Sequence, residues 1–414
     1  MVHFSALAVG SILIGTTSVR AADPTELKIC LLVPTYRASG GAYDSGGHNR
    51  LGGALSAIKE INDKTDGIWD DLLPSTTITY EWYNSARDSA TGMFTAIECA
   101  TSAFSGTGAD VVLGPASSGP SMNAQLVLSN SLYNIPHMSY SATSPSLSNS
   151  IEYPTFFRTP PSDAYQGLAG ADVIKRIFGW DNVIVINGDD SYSANGAAAF
   201  KNAAGGKDLN VLQSLEVAEK PTYSSLVTAI NSIASSDGRI VWMMAQASTS
   251  GLILREAYAQ GVLGADSGYV WFFTDAVTDN MGGVIDYLTL DNPCSECGDD
   301  PPAALSESEA AAALAGAVGT SQVSDFGETS SIYSAWTTRF AAQTDTAGTD
   351  PSSGGECANG ETTITGAAGS MLTNAESGSE CTCSDETDSA GTLLWQLDHD
   401  GDASTADRCS GMAY

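Results

Sequence analysis

The sequence predicts an α/β protein of two lobes, each a parallel sheet with helices on both faces. Apolar strands and amphipathic helices alternate from Leu27 to Asp275, the rhythm of βαβ units. Several strands are continuous apolar runs, as expected where helices cover both faces of a sheet. A Pro-punctuated segment, "YPTFFRTPPSD" from Tyr153 to Asp163, interrupts the rhythm before it restarts. The chain therefore divides into lobe 1 over 23–158, lobe 2 over 159–275 and a return segment to lobe 1 over 276–343. Tyr153, Pro154, Arg158, Pro160 and Pro161 are the expected hinge.

In the first lobe "LKICLLVP" reads as a buried strand, followed by a Gly-rich loop from Ser39 to Gly47. "RLGGALSAIKEIN" is a helix with Leu51, Ala54, Ile58 and Ile61 on one stripe, a 3.6-residue period. "TTITYEWY" is a strand. Thr91 to Phe104 is a helix with Phe94, Ile97 and Ala100 expected in the core. "ADVVLG" is a strand, Pro120 to Leu132 a helix and "HMSYSA" a strand. In the second lobe helices are expected at 164–178, 194–203, 223–233 and 249–259. They alternate with the strands "NVIVI", "NVLQSLEV", "RIVWMMA" and "YVWFFTD". Beyond Asp275 "LAGAVGT" reads as a returning strand and "SIYSAWTTRFAAQ" as a helix, before a Gly/Ser/Asp-rich region over 344–414.

The chain of 414 residues has 17 basic and 48 acidic residues, a net charge of −31. That balance argues against nucleic acid and anionic lipid surfaces as partners. The run "FSALAVGSILIGTT", followed by Val19-Arg20-Ala21-Ala22, reads as a signal peptide over 1–22 and predicts a secreted or extracellular protein. No other run approaches the length of a membrane span. Eight cysteines then favour disulfides in an exported chain. Cys30 and Cys99 sit where one bond would pin helix to sheet. Cys294, Cys297, Cys357, Cys381, Cys383 and Cys409 are expected to pair among themselves. Their irregular spacing argues against a zinc site, and no cofactor or metal is expected. "DHDGD" from Asp398 misplaces the glycine of a calcium loop and lacks its terminal glutamate.

The residues that carry chemistry gather at strand ends. Ser117 and Ser118 follow Gly114-Pro115 with Pro120 just beyond, so one reading is a plain helix cap. The other is that hydroxyls and exposed N–H groups receive a ligand carboxylate. Ser141 and Thr143 end the next strand, where they would face the same spot. Asp163, Tyr192 and Asp275 sit at junctions that open helices in the second lobe. Two carboxylates with one aromatic ring suit an ammonium group. Taken singly, Asp163 reads as a helix cap and Tyr192 as a surface aromatic. Together they describe an α-amino-acid site.

These segments resemble the receptor-family ligand-binding region, a type 1 periplasmic-binding-protein-like Venus flytrap. The likeness is to the extracellular domains of class C G-protein-coupled receptors. "GPASSG", "NIPHMSYSATSPSLS" and "YPTFFRTPPSD" are similar to metabotropic glutamate receptors; "SPSLSN", "YPTFFRT" and "YVWFFTDA" also resemble metabotropic GABA receptors. The resemblance implies amino-acid contacts at Ser118, Ser141, Thr143, Asp163, Tyr192 and Asp275. Retained Asp163 favours an α-amino acid, and the aromatic of the GABA type is lost near Ala245. Arg37, His48 and Arg50 are candidates for gripping a ligand side chain. The resemblance also implies lobe closure as the signal, a homo- or heterodimer through lobe 1, and closing elements of lobe 1 that the sequence does not show before Tyr414. An enzyme is not expected, since the histidines at 3, 48, 137 and 399 stand in no nucleophile or metal motif. A free amino-acid-binding protein without a signalling role and a non-functional fragment are the alternatives.

Overall fold

A computed structural model describes residues 24–36, 44–65, 67–291, 293–294, 297–298 and 301–321, with a two-residue ladder between Ser379–Glu380 and Asp398–His399. Two parallel five-stranded sheets organise it. The first contains β1 (Glu26–Val33), β2 (Thr77–Asn84), β3 (Val111–Leu113), β4 (His137–Ser139) and β5 (Phe156–Arg158), in the order β2-β1-β3-β4-β5. Its helices are α1 (Ser45–Asn62), α2 (Ser89–Thr101), the single turn α3 (Ala103–Gly106) and α4 (Ser118–Leu128). Successive side chains of β1 point to opposite faces. Ile29, Leu31 and Val33 pack with Leu51, Leu55 and Ile58 of α1. Cys30 and Leu32 pack with Ala96 and Cys99 of α2 and with Ala124 and Leu128 of α4.

The second sheet has the order β10-β9-β8-β6-β7. It is built from α5 (Asp163–Asp172), β6 (Asn182–Gly188), α6 (Ser191–Gly205), β7 (Asn210–Val217), α7 (Tyr223–Ala234), β8 (Ile240–Met244), α8 (Ala247–Ala259) and β9 (Val270–Phe273). After these come α9 (Asp275–Thr278), α10 (Met281–Thr289), α11 (Glu307–Leu314) and β10 (Val318–Gly319). One face carries Ile184, Ile186, Val241, Met243, Trp271 and Phe273. The other carries Val183, Val185, Trp242, Met244 and Phe272. Close approach of α5 and α6 to this second face requires glycine. A Cβ on Gly170 would lie 2.1 Å from the Trp242 ring, and one on Gly196 would lie 2.1 Å from Met244 Cε.

Three expectations change. Phe94 and Ile97 are not core residues: Phe94 is 61% exposed and Ile97 37%. The buried face of α2 is instead the small-residue stripe Gly92, Thr95, Ala96, Cys99 and Ala100, because α2 lies tight against α4, where a Cβ on Gly92 would meet Pro120 at 2.8 Å. The stretch after Asp275 continues the second sheet as far as its described residues go. Val318 pairs in parallel with Phe272, and Ala310 and Ala313 of α11 are buried in the core on the α7–α8 side. The helix expected to open with Ala164 begins one residue earlier and ends in a π-turn over Val173–Ile177.

Two disulfides are present among the described residues, Cys30–Cys99 and Cys294–Cys297. The first joins β1 to α2. Cys357, Cys381, Cys383 and Cys409 lie outside the described residues, as do the signal segment, Arg37 and the helix expected over 331–343. Among the described residues no helix is long and apolar enough to cross a membrane.

Candidate functional site

Most of the singled-out residues emerge beyond the carboxyl ends of strands, where open α/β sheets present ligands. Ser117 and Ser118 follow β3, Ser141 and Thr143 follow β4, Tyr192 follows β6 and Asp275 follows β9. Asp163 opens α5 after the Thr159–Ser162 crossing from β5.

Ser117 occupies the N-cap position of α4, but its side chain makes no capping bond. The plain-cap reading therefore does not describe it. The buried Ser118 hydroxyl oxygen accepts the N–H of Ser144 at 3.2 Å, tying the start of α4 to the loop after β4. In that loop Thr143 is buried and its carbonyl accepts the N–H of Asp163 at 2.9 Å. Ser141 stands half-buried beside them, its N–H donating to Ser139 Oγ at 3.3 Å. The neighbouring His137 lies at the foot of the loop. Its Nε2 faces the carbonyl of Gly114 and its Nδ1 lies 3.2 Å from Gln125 Nε2.

Asp163 is not the cap of its helix; Ser162 is, accepting the N–H of Ala164. The Asp163 side chain is thereby free of the capping role. It is 1% exposed, and its Oδ2 has no hydrogen-bond partner. Burial first, then the nearby Asp275 charge, pushes its carboxyl up to about 7, against hydrogen bonds from Thr143 and Gln166 and the charge of Arg158. Tyr192 is buried rather than a surface aromatic. Its hydroxyl donates to Asp275 Oδ1 at 2.7 Å and lies 3.2 Å from Thr274 Oγ1. Burial and the two aspartates raise this phenol well above its ordinary range.

The residue that joins the set is Gln166, which sequence reading did not single out. Its Nε2 donates to Asp163 Oδ1 at 3.3 Å and to Asp275 Oδ1 at 2.9 Å. Its Oε1 accepts the N–H of Asp275 at 2.9 Å and the hydroxyl of Thr320 at 2.8 Å. One signal was available: Gln166 lies three residues after Asp163 in a helix, and i,i+3 residues share a face. Nothing local pointed to Thr320.

An unbroken series of contacts thus runs from Ser118 through Ser144, Thr143, Asp163 and Gln166 to Asp275 and Tyr192. The two lobes touch beside it, for a Cβ on Gly119 of α4 would lie 3.5 Å from Ser191 Oγ of α6. Hydroxyls and the α4 N-terminus supply donors at one end, and carboxylates supply acceptors at the other. Of the expected hinge, Tyr153 is buried, and Arg158 donates from Nη1 to the Ser144 carbonyl at 2.8 Å and from Nη2 to Ser148 Oγ. Among the candidates for a ligand side chain, Arg50 stands near Asp44, Arg87 and Tyr140, and burial and Arg87 lower its pKa. Arg87 is committed to Asp44, with Nε 2.5 Å from Oδ2. His48 lies in α1.

The family model described as "Receptor family ligand binding region" matches residues 50–395. Among curated proteins the chain is 27% identical over 270 residues to metabotropic glutamate receptor-like protein E of Dictyostelium discoideum, covering 63% of this chain and 30% of that protein. It is 26% identical over 227 residues to glutamate receptor 3.1 of Oryza sativa, covering 55% and 22%. It is 24% identical over 252 residues to the human extracellular calcium-sensing receptor, covering 56% and 22%. The chain thus spans less than a third of the length of these relatives. With two parallel sheets and a match over most of its length, the chain belongs to the receptor family ligand binding region.

Proposed function

We propose that this chain is the ligand-binding region of a class C receptor-like protein, that it holds a small α-amino acid between its lobes, and that lobe closure is its signal. The observation that carries this reading is the continuous network from Ser118 to Asp275, with donors at one end and two carboxyl groups at the other. A ligand with a carboxylate and an ammonium group matches both ends, and closing a cleft around a ligand is a recurrent hinge motion. Two relatives are named as glutamate receptors and one as a glutamate receptor-like protein, which supports an amino acid as the ligand class. The two disulfides support an oxidising, extracellular setting. Exposed Phe94 and Ile97 of α2 and Leu126 of α4 favour pairing of two copies through the first lobe.

The test is a thermal-shift screen of the secreted full chain against the twenty standard L-amino acids. A ligand of the native state raises the unfolding temperature in proportion to the logarithm of its excess over Kd. At least one amino acid should give a saturable rise that Ser118→Ala and Asp163→Ala each abolish. A screen without any rise, or a rise kept by both variants, rejects the reading.

A further inference from the structure

One amide serves both carboxyl groups of the proposed amine pocket. Gln166 Nε2 reaches Asp163 Oδ1 at 3.3 Å and Asp275 Oδ1 at 2.9 Å. The amide cannot turn over, because its Oε1 already accepts the Asp275 N–H and the Thr320 hydroxyl. A reversed amide would set donors against donors and its carbonyl against two carboxylates. A single nitrogen touching both oxygens holds them within about 6 Å of each other, where like charges oppose joint ionisation.

The two groups are not equivalent. Asp275 Oδ1 also accepts the Tyr192 hydroxyl at 2.7 Å. Asp163 Oδ2 is buried without a hydrogen-bond partner, a costly place for charge and a suitable one for a proton. The charged and titratable groups facing Asp163 are Asp275 from α9, Tyr192 from α6 and Arg158 from β5, with Tyr165 of α5 beside Arg158. Arg158 is held by the Ser144 carbonyl and Ser148 Oγ, so its charge does not reach Asp163 as a direct ion pair. Burial and Asp275 hold the Asp163 carboxyl at about 7.

Resting on the amine-site reading above, we propose that Gln166 is a positioning residue that holds Asp163 and Asp275 as one pair sharing a single proton in the empty site, and that an incoming ammonium group displaces this proton to solvent. The balance is simple: the O–H bond on Asp163 breaks, its proton goes to water or buffer, and the ligand's N–H groups take its place. No bond between heavy atoms changes.

Isothermal titration calorimetry of the full chain in two buffers of different ionisation enthalpy counts the protons released. The probes are the standard L-amino acids that give binding heat at pH 8. About nine-tenths of a proton should leave per ligand at pH 6 and about a tenth at pH 8, with affinity rising about tenfold between them. Gln166→Glu keeps an oxygen for the Asp275 N–H and Thr320 but sets a third carboxyl against the pair. Its affinity should fall more than tenfold at pH 7 and recover at pH 9, whereas a glutamine that only fills space would give an equal loss at both. Binding at pH 6 without buffer-dependent heat overturns this proposal alone, as does a Gln166→Glu profile with its midpoint unmoved. Absence of heat from all twenty amino acids at pH 8 overturns the amino-acid reading itself.

Discussion

Asp163→Asn isolates the energetic consequence of burying this carboxyl. The substitution keeps the shape of the side chain and one oxygen for the Gln166 contact, and it removes ionisation. Burial, then the Asp275 charge, raises this carboxyl from 3.8 to about 7 in the folded chain. A difference of about 3 pH units corresponds to roughly 4 kcal/mol at neutral pH. The folded state binds more protons than the unfolded state between those values. The contribution of this group to stability is therefore complete below about pH 4 and is lost as pH rises through 7. Asparagine suffers no such loss. In urea unfolding of the ligand-free chain, the variant should exceed the wild type by roughly 2–4 kcal/mol at pH 7.5 and by little at pH 4. It should also fail to bind an amino acid. A variant whose advantage is the same at both pH values, or which is the less stable at pH 7.5, would refute the reasoning.

The other expectations draw on separate parts of the fold. Burial lowers buried His137 from 6.5 to about 4, so the folded state binds fewer protons there, and stability falls as pH drops from 6.5 toward 4 by roughly 3 kcal/mol. This slope opposes that of Asp163, so the two contributions largely offset each other over the interval. His137→Gln, followed by urea titrations at several pH values, should gain stability relative to the wild type as pH falls toward 4; an unchanged difference would count against it. Cys30–Cys99 closes a sequence separation of 69 and Cys294–Cys297 one of 3. Loop entropy then assigns about 4 kcal/mol to the first bond and about 2 kcal/mol to the second. Double alanine variants compared by denaturant midpoint should keep that order, and the reverse order would refute it.

The sequence by itself determined the layered architecture and the positions of the donors and acids along it. An apolar run such as "LKICLLVP" has only one stable use in a chain that alternates with amphipathic helices, a strand covered on both faces. Polar side chains placed just after parallel strands gather at the carboxyl end of each sheet. Ser118, Thr143, Asp163, Tyr192 and Asp275 were legible for that reason, as was a bond pinning Cys30 to Cys99.

Tertiary structure decided what each surface turned toward. Phe94 and Ile97 have core spacing in α2, yet the helix buries its small residues, because Cys99 is tied to β1 and α4 sits within contact of Gly92. The described residues after Asp275, as far as 321, stay with the second sheet because β9 offers a free edge to Val318. Gln166 lacks any motif, and its contacts arise only when α5, α9 and Thr320 converge on one amide. Periodicity is a property of neighbouring residues and survives in the linear chain. The choice of partner depends on groups far apart in sequence, and only the closed packing of helices on sheet brings them within reach.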